Sequence, residues 1–145
     1  MRKEIYKAIC QRLKRVDNGA IQHIDLWNRN VEFIEQEDGW SRPAVFIEFG
    51  PIIWQPLTGG HVFRGDAVLK LHIVTDWKGS AADGSPYQDE SLAYLELSQK
   101  IQQELMDMSG ESYDSIRLTE SHTNHDHEEI VESVEVYKFR CNRKI

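Results

Sequence analysis

The sequence predicts an α+β domain: an antiparallel (mixed) β-sheet with an N-terminal helix and one long helix packed on one face. Three observations predict it. From Gly65 to Trp77 the chain alternates, with Ala67, Leu69, Leu71, Ile73, Thr75 and Trp77 on one side and Val68, Lys70, His72 and Asp76 on the other. That is the period of a strand with one buried face. Two other segments carry apolar residues at helical spacing, Ile5, Ile9, Leu13 and Val16 near the start, and Tyr94, Leu97, Ile101, Leu105 and Met108 later. The chain then closes on two charged, strand-like segments.

The elements follow in order. Arg2 to Val16 reads as a helix stopped by Asp17-Asn18-Gly19, with Gly19 suited to a left-handed C-terminal position. Ile21 to Glu37 mixes strand-like Ile24, Leu26, Val31, Phe33 and Ile34 with the turn-like Asn28-Arg29-Asn30, and a short hairpin fits it best. After a turn at Asp38-Gly39-Trp40-Ser41, Pro43 opens a strand with Val45, Ile47 and Phe49 on one face. Pro51 and Pro56 bracket Ile52-Ile53-Trp54, which suits an edge or a bulge because proline cannot donate to a ladder. Leu57 to Arg64 reads as a loop or hairpin end, so Gly65 to Trp77 pairs back antiparallel to the Pro43 strand.

Lys78 to Gly84 reads as a flexible loop. Ser85-Pro86-Tyr87-Gln88 has the residues of a helix start, with Ser as N-cap, Pro at the first helical position and Gln three residues after the cap. The helix is expected to run to about Met108, with Gly110 ending it. Ile116 to Ser121 is a strand, and the last strand runs from about Ile130 to Cys141. Its phase changes midway: Val134 and Val136 share one parity, Tyr137, Phe139 and Cys141 the other. A bulge near Val136 reconciles them, as does a strand covered on both faces.

At 145 residues the chain reads as a single domain, 1–145, large enough for a real core. A net charge of -7 argues against wrapping or sequence-specific reading of nucleic acid, whose affinity comes largely from cations that displace phosphate counterions. Cys10 and Cys141 lie far apart in a chain with no secretory segment, which favours reduced thiols over a disulfide joining the two ends. No apolar run approaches the ~20 residues of a membrane span, so the chain reads as soluble and cytoplasmic.

The residues offer no visible catalytic machinery, so the chain is not read as an enzyme and no cofactor is expected. There is no Gly-x-Ser-x-Gly elbow, no cysteine-centred signature and no phosphate-loop glycine pattern. The segment His122-Thr123-Asn124-His125-Asp126-His127-Glu128-Glu129 is the exception to weigh. His122, His125 and His127 with a carboxylate make a Zn²⁺-like donor set, which supports an alternative reading as a small metal-binding protein or metal-dependent enzyme. The same residues also read as a solvated hairpin tip, the reading adopted here, so no metal site is assigned.

The tryptophans point to binding. Trp27, Trp40, Trp54 and Trp77 all lie at predicted strand ends or turns, where some are expected to be exposed. Trp54 with Ile52, Ile53, Leu57, Val62 and Phe63 makes an apolar flank on the central hairpin. Trp54, Ile52, Leu57, Val62 and Phe63 are therefore the candidate oligomer or partner interface.

Across most of its length the chain resembles the tail terminator, or tail completion, proteins of long-tailed phages and prophages. The resemblance rests on the helix Arg2 to Val16, the strand Pro43-Ala44-Val45-Phe46-Ile47-Glu48-Phe49, and the strand Gly65 to Trp77 ending in Thr75-Asp76-Trp77. It continues through the helix Glu90 to Met108 and the ending Glu135-Val136-Tyr137-Lys138-Phe139-Arg140. It implies a structural virion assembly protein with neither cofactor nor catalysis. The implied assembly is a homo-oligomer, a hexameric ring that caps the tail tube and contacts the head-tail connector. The implied location is the host cytoplasm before assembly and the virion tail afterwards. Acidic residues along a ring lumen would keep passing DNA from sticking, in keeping with the net charge.

Overall fold

The computed structural model describes residues 1–33 and 39–145. Helix α1 spans Arg2–Leu13, and β1 spans His23–Leu26. The long strands β2 (Ala44–Pro56) and β3 (Val62–Asp76) precede helix α2 (Gln88–Leu105). Strands β4 (Tyr113–Asn124) and β5 (Ile130–Lys144) close the chain. They form one five-stranded sheet in the order β1-β2-β3-β5-β4, with β1 parallel to β2 and every other pair antiparallel. This is the expected α+β class with a mixed sheet.

Both helices pack on one face. Ile5, Ile9 and Leu13 of α1 and Leu97, Ile101 and Leu105 of α2 meet Val45, Ile47, Leu69, Leu71, Ile73, Tyr137 and Phe139 in one buried cluster. The stripes read from the sequence are the stripes that are buried, because residues three and four apart share one side of a helix. Arg12 in the last turn of α1 donates to the Glu104 carbonyl of α2, and Glu4 in the first turn accepts from the Ser112 hydroxyl and the Glu111 N–H ahead of β4. An acidic side chain early and a basic one late also complement the helix dipole.

The helix ends differ from expectation by a turn. The first helix stops at Leu13, and a short 3-10 turn at Val16–Asn18 leads to Gly19 at φ 89° in the left-handed region predicted for it. Helix α2 begins at Gln88, two residues later than the sequence suggests. Ser85 is spent on the preceding turn, where its hydroxyl accepts the Tyr87 N–H and its carbonyl the Gln88 N–H. At the other end Asp107 takes φ 58°, so Met108 returns to the core by a chain reversal rather than by a further helical turn.

The expected hairpin over Ile21 to Glu37 is corrected. The segment supplies the short strand β1, which pairs parallel to β2 (His23 opposite Ala44, Leu26 opposite Ile47), followed by a 3-10 turn at Asn30–Phe33. Parallel strands need a long return connection, and the chain between Leu26 and Ala44 provides it. Ile34 to Glu37 and Asp38, which belonged to the hairpin and turn readings, lie outside the described residues.

The bulges have structural consequences. The strand β2 continues through Pro51, with its register against β3 shifting between Phe49 and Ile52. The shift changes parity, so Val45 and Ile47 before it and Ile52 and Trp54 after it all lie on the helical side. The phase change in β5 has a different cause from a bulge in that strand. β5 pairs with β3 without interruption, and the irregularity falls in β4 between Leu118 and Glu120, opposite Tyr137 and Val136. Ile130, Val131, Glu132 and Ser133 are all buried, so this half of β5 is covered on both faces.

Gly65 is required where it stands. A Cβ there would lie 2.7 Å from Ile52 and 2.8 Å from the Cys141 sulfur, on the side where Trp54 closes over the strand. Cys10 on α1 and Cys141 on β5 are both free thiols, the second fully buried.

Two stability predictions follow from this packing. Ile101 is fully buried mid-stripe on α2, so Ile101→Ala should cost about 2–5 kcal/mol in urea unfolding, and an unchanged midpoint would refute the packing of α2. The Tyr137 hydroxyl is buried and has no partner among the described residues, and burial together with the Glu135 carboxylate pushes its phenol well above the ordinary range. Tyr137→Phe should therefore leave stability unchanged or raise it by about 1 kcal/mol, and a clear loss would reveal a missing hydrogen bond.

Candidate functional site

The predicted apolar flank lies at the far end of the β2–β3 hairpin. Ile52 and Trp54 are half-buried against the edge of the main core, and the Arg143 guanidinium lies 4.7 Å above the Trp54 ring. Val62 and Phe63 are half-buried, and Leu57 at the turn is exposed. Register brings Phe63 opposite Pro56 and Arg143, so the residues do share one end of the sheet. Much of the area of Ile52 and Trp54 is used inside the molecule; of the interface residues named above Leu57 is the open one, and their neighbour Ile53 is exposed on the opposite face of the sheet.

The histidine-rich segment joins β4 to β5. His122 lies on β4 with its Nε2 3.0 Å from Glu120, and Asn124 accepts the Asp126 N–H as a loop turn. Among the described residues no group of three or more His, Cys, Asp or Glu side chains is gathered as a metal ion would require. His122, His125 and His127 therefore do not form the ligand set that the alternative reading needs.

The most organised polar cluster is one that sequence reasoning placed only as polar residues on a strand's outer face. His72 sits on β3 between Glu48 of β2, 2.8 Å from Nε2, and Glu132 of β5, 3.1 Å from Nδ1. Asn124 donates to the other oxygen of Glu132 at 2.8 Å. The Trp27 ring stacks on the imidazole with centroids 3.7 Å apart and parallel planes. Both ring nitrogens are thus within hydrogen-bond distance of a carboxylate oxygen, and the indole face closes the cluster from above. Burial raises the Glu132 carboxyl, but the His72 and Asn124 hydrogen bonds and the nearby imidazole charges outweigh it and leave it below the ordinary range. Around this cluster Phe46, Val74 and Ile130 pack with Val31, Trp27 and Trp40 as a small second core.

The register explains why the cluster was missed. His72 lies opposite both Phe46 and Val134, and its acidic partners are the diagonal neighbours Glu48 and Glu132. Each of the three residues looks like a solvent-facing strand residue in its own segment. Only the pairing of three separated segments brings them together.

A cavity of about 230 Å³ opens between α2 and the end of β3, with Thr75, Asp76, Arg42, Ser91, Tyr94 and Leu97 in its lining. Its polar groups are mostly committed to the fold. Arg42 is paired with Asp76, and the Ser91 hydroxyl donates to the Ser80 carbonyl at 3.1 Å.

No protein-family model matches the chain, and no curated protein sequence matches it. Among solved structures the chain is similar to one in the virion of a native gene transfer agent (GTA) particle. The match has a TM-score of 0.54 and 9% sequence identity, over 95% of this chain and 94% of that one. At that identity the similarity is one of fold.

The pH dependence of the His72 cluster has a definite sign. A carboxylate lowered in the native state contributes stability that is complete above its ordinary value of 4.5 and is lost as pH falls through the lowered native value. Glu132→Gln should cost about 1–3 kcal/mol at neutral pH, because it replaces the charged acceptor shared by His72 and Asn124 with a neutral amide. It should also flatten the acid limb of stability against pH, and an acid limb identical to wild type would exclude Glu132 as its source.

Proposed function

We propose that the chain is a non-enzymatic structural protein of a phage-type virion, and within that class a tail terminator. In this reading, copies of the chain form a ring, possible in six-fold form as the family resemblance implies, that caps the tail tube and offers a surface to the head-tail connector. The observation that carries the proposal is the fold similarity to a virion chain, which extends over nearly the full length of both molecules. The order of elements in the sequence, which resembles that of tail terminator proteins, supports the same reading.

The geometry is compatible with a ring. Heterologous contacts close into rings when each subunit carries two different complementary patches and the rotation permits. The exposed hairpin end at Leu57, beside the Trp54, Ile52, Val62 and Phe63 flank, is proposed as the surface that meets the tube or the connector. No helix among the described residues is long and apolar enough to cross a membrane.

The deciding experiment is native mass across a concentration series, with negative-stain images of any large species and cosedimentation with tail tubes. A closed ring, or a monomer that joins tube ends, is the expected result. A chain that stays monomeric and does not cosediment with tubes would end the reading. Leu57→Glu should weaken cosedimentation at least several-fold without moving the unfolding midpoint, since the side chain is 42% exposed.

A further inference from the structure

The outer face of the sheet is divided in two. Its β1 side is closed by Trp27, Val31 and Trp40. The other half holds a depression of about 280 Å³ lined by Ile53, Asp66, Val68, Arg117, Lys138 and Arg140. Ile53 is 74% exposed there, an apolar side chain that its own fold leaves open. Arg117 and Lys138 are directly opposed on β4 and β5, with Arg140 two residues further along the same face. Like charges placed opposite one another destabilise a sheet. Among the described residues Arg117, Lys138 and Arg140 are not held in ion pairs. Asp66 on β3 and Asp114 on β4 stand opposite Arg140, which leaves Arg117 and Lys138 as the pair with no acidic residue across from them, beside exposed apolar surface.

The opposite end of the sheet carries the complement. The turn between β4 and β5 presents Asp126, Glu128 and Glu129, all exposed. Trp77 lies beside them, its N–H donating to the Glu129 carbonyl at 2.9 Å, and its side chain is 47% exposed. The Glu129 and Lys138 positions are separated along β5 by roughly 30 Å at 3.3 Å per residue, so the two patches of one molecule do not meet.

We propose that the basic groove of one copy receives the acidic β4–β5 turn of a second copy, with Glu128 and Glu129 against Arg117 and Lys138, and Trp77 against Ile53. Charge complementarity selects this occupant, and two different patches on each subunit are what a head-to-tail contact, the type that closes into rings, requires. Aromatic and arginine side chains are the types enriched in such contacts. The inference rests on the ring reading above and adds its subunit–subunit surface.

The test uses two charge-reversed full-length variants, a groove variant (Arg117→Glu with Lys138→Glu) and a turn variant (Glu128→Lys with Glu129→Lys). Each should associate at least tenfold more weakly than wild type, and wild-type assembly should weaken as salt is raised. Mixing the two should restore association that neither variant shows alone, because the native turn meets the native groove and the reversed turn meets the reversed groove. Unfolding midpoints establish that the variants fold, and Arg117→Gln with Lys138→Gln replaces the groove variant if it does not. Rings that persist unchanged in both variants would overturn the groove contact and leave the ring reading standing. A wild-type chain that never self-associates would overturn the self-contact, while cosedimentation with tubes would still decide the tail reading. Wild-type binding to duplex DNA that is lost in the groove variant, without any effect on assembly, would assign the basic row to nucleic acid instead.

Discussion

The constraint on which the rest of the structure depends is the uninterrupted pairing of β3 with β5, from Val62 opposite Lys144 to Asp76 opposite Ile130. Two strands of that length at the centre of a sheet have two faces to satisfy. The helical side is satisfied by the stripes of α1 and α2, which close over Leu69, Leu71, Tyr137 and Phe139. Among the described residues no α-helix packs on the outer side. Over half its length it is covered by Trp27, Val31 and Trp40, and the buried His72–Glu132 pair lies beneath that cover. A buried hydrogen-bonded pair contributes little net stability by itself, but leaving one member unpartnered is costly, so it discriminates against any other register of the strands around it.

The bulges make this central pairing compatible with its neighbours. Alternation fixes which residues face the helices, and any strand that changes function along its length must change parity. β2 does so between Phe49 and Ile52, which lets Phe46 face the outer core while Trp54, further on, covers the helical side. Gly50 at this point has Val68 so close that an added Cβ would lie 3.1 Å from its carbonyl oxygen. The other irregularities fall in the edge strand β4, where they disturb only one partner.

Much of the fold was legible because it is local. The apolar periods of Ile5–Ile9–Leu13 and Leu97–Ile101–Leu105, the alternation through Ala67–Ile73 and the proline-marked bulge each depend on residues a few positions apart. What failed is what depends on pairing between distant segments. The strand His23–Leu26 has the composition of a hairpin arm, and nothing within it says that its partner is Ala44–Ile47 in parallel. The Ser85 cap signal was genuine but served a turn, since the same hydroxyl geometry satisfies either. The interface residues were legible as an apolar run, whereas the placing of Arg143 over the Trp54 ring depends on the register of β5.

The two halves of the outer face follow opposite electrostatic rules, and the contrast bears on function. Around His72 each charge has a partner within hydrogen-bond distance and the surface is closed by an indole ring. Around Lys138 the cations face one another and the surface is open. The strands are the same in both halves, so sheet geometry does not force the difference. In the first half the sequence supplies Glu48 and Glu132 on the diagonals of His72, while in the second it sets Arg117 across from Lys138. A fold that neutralises one set of charges at close range and leaves the adjacent set unneutralised has its unmet electrostatic demand in one place. In the free chain water solvates Arg117 and Lys138, and the proposed acidic turn of a second copy would replace that water with complementary charge.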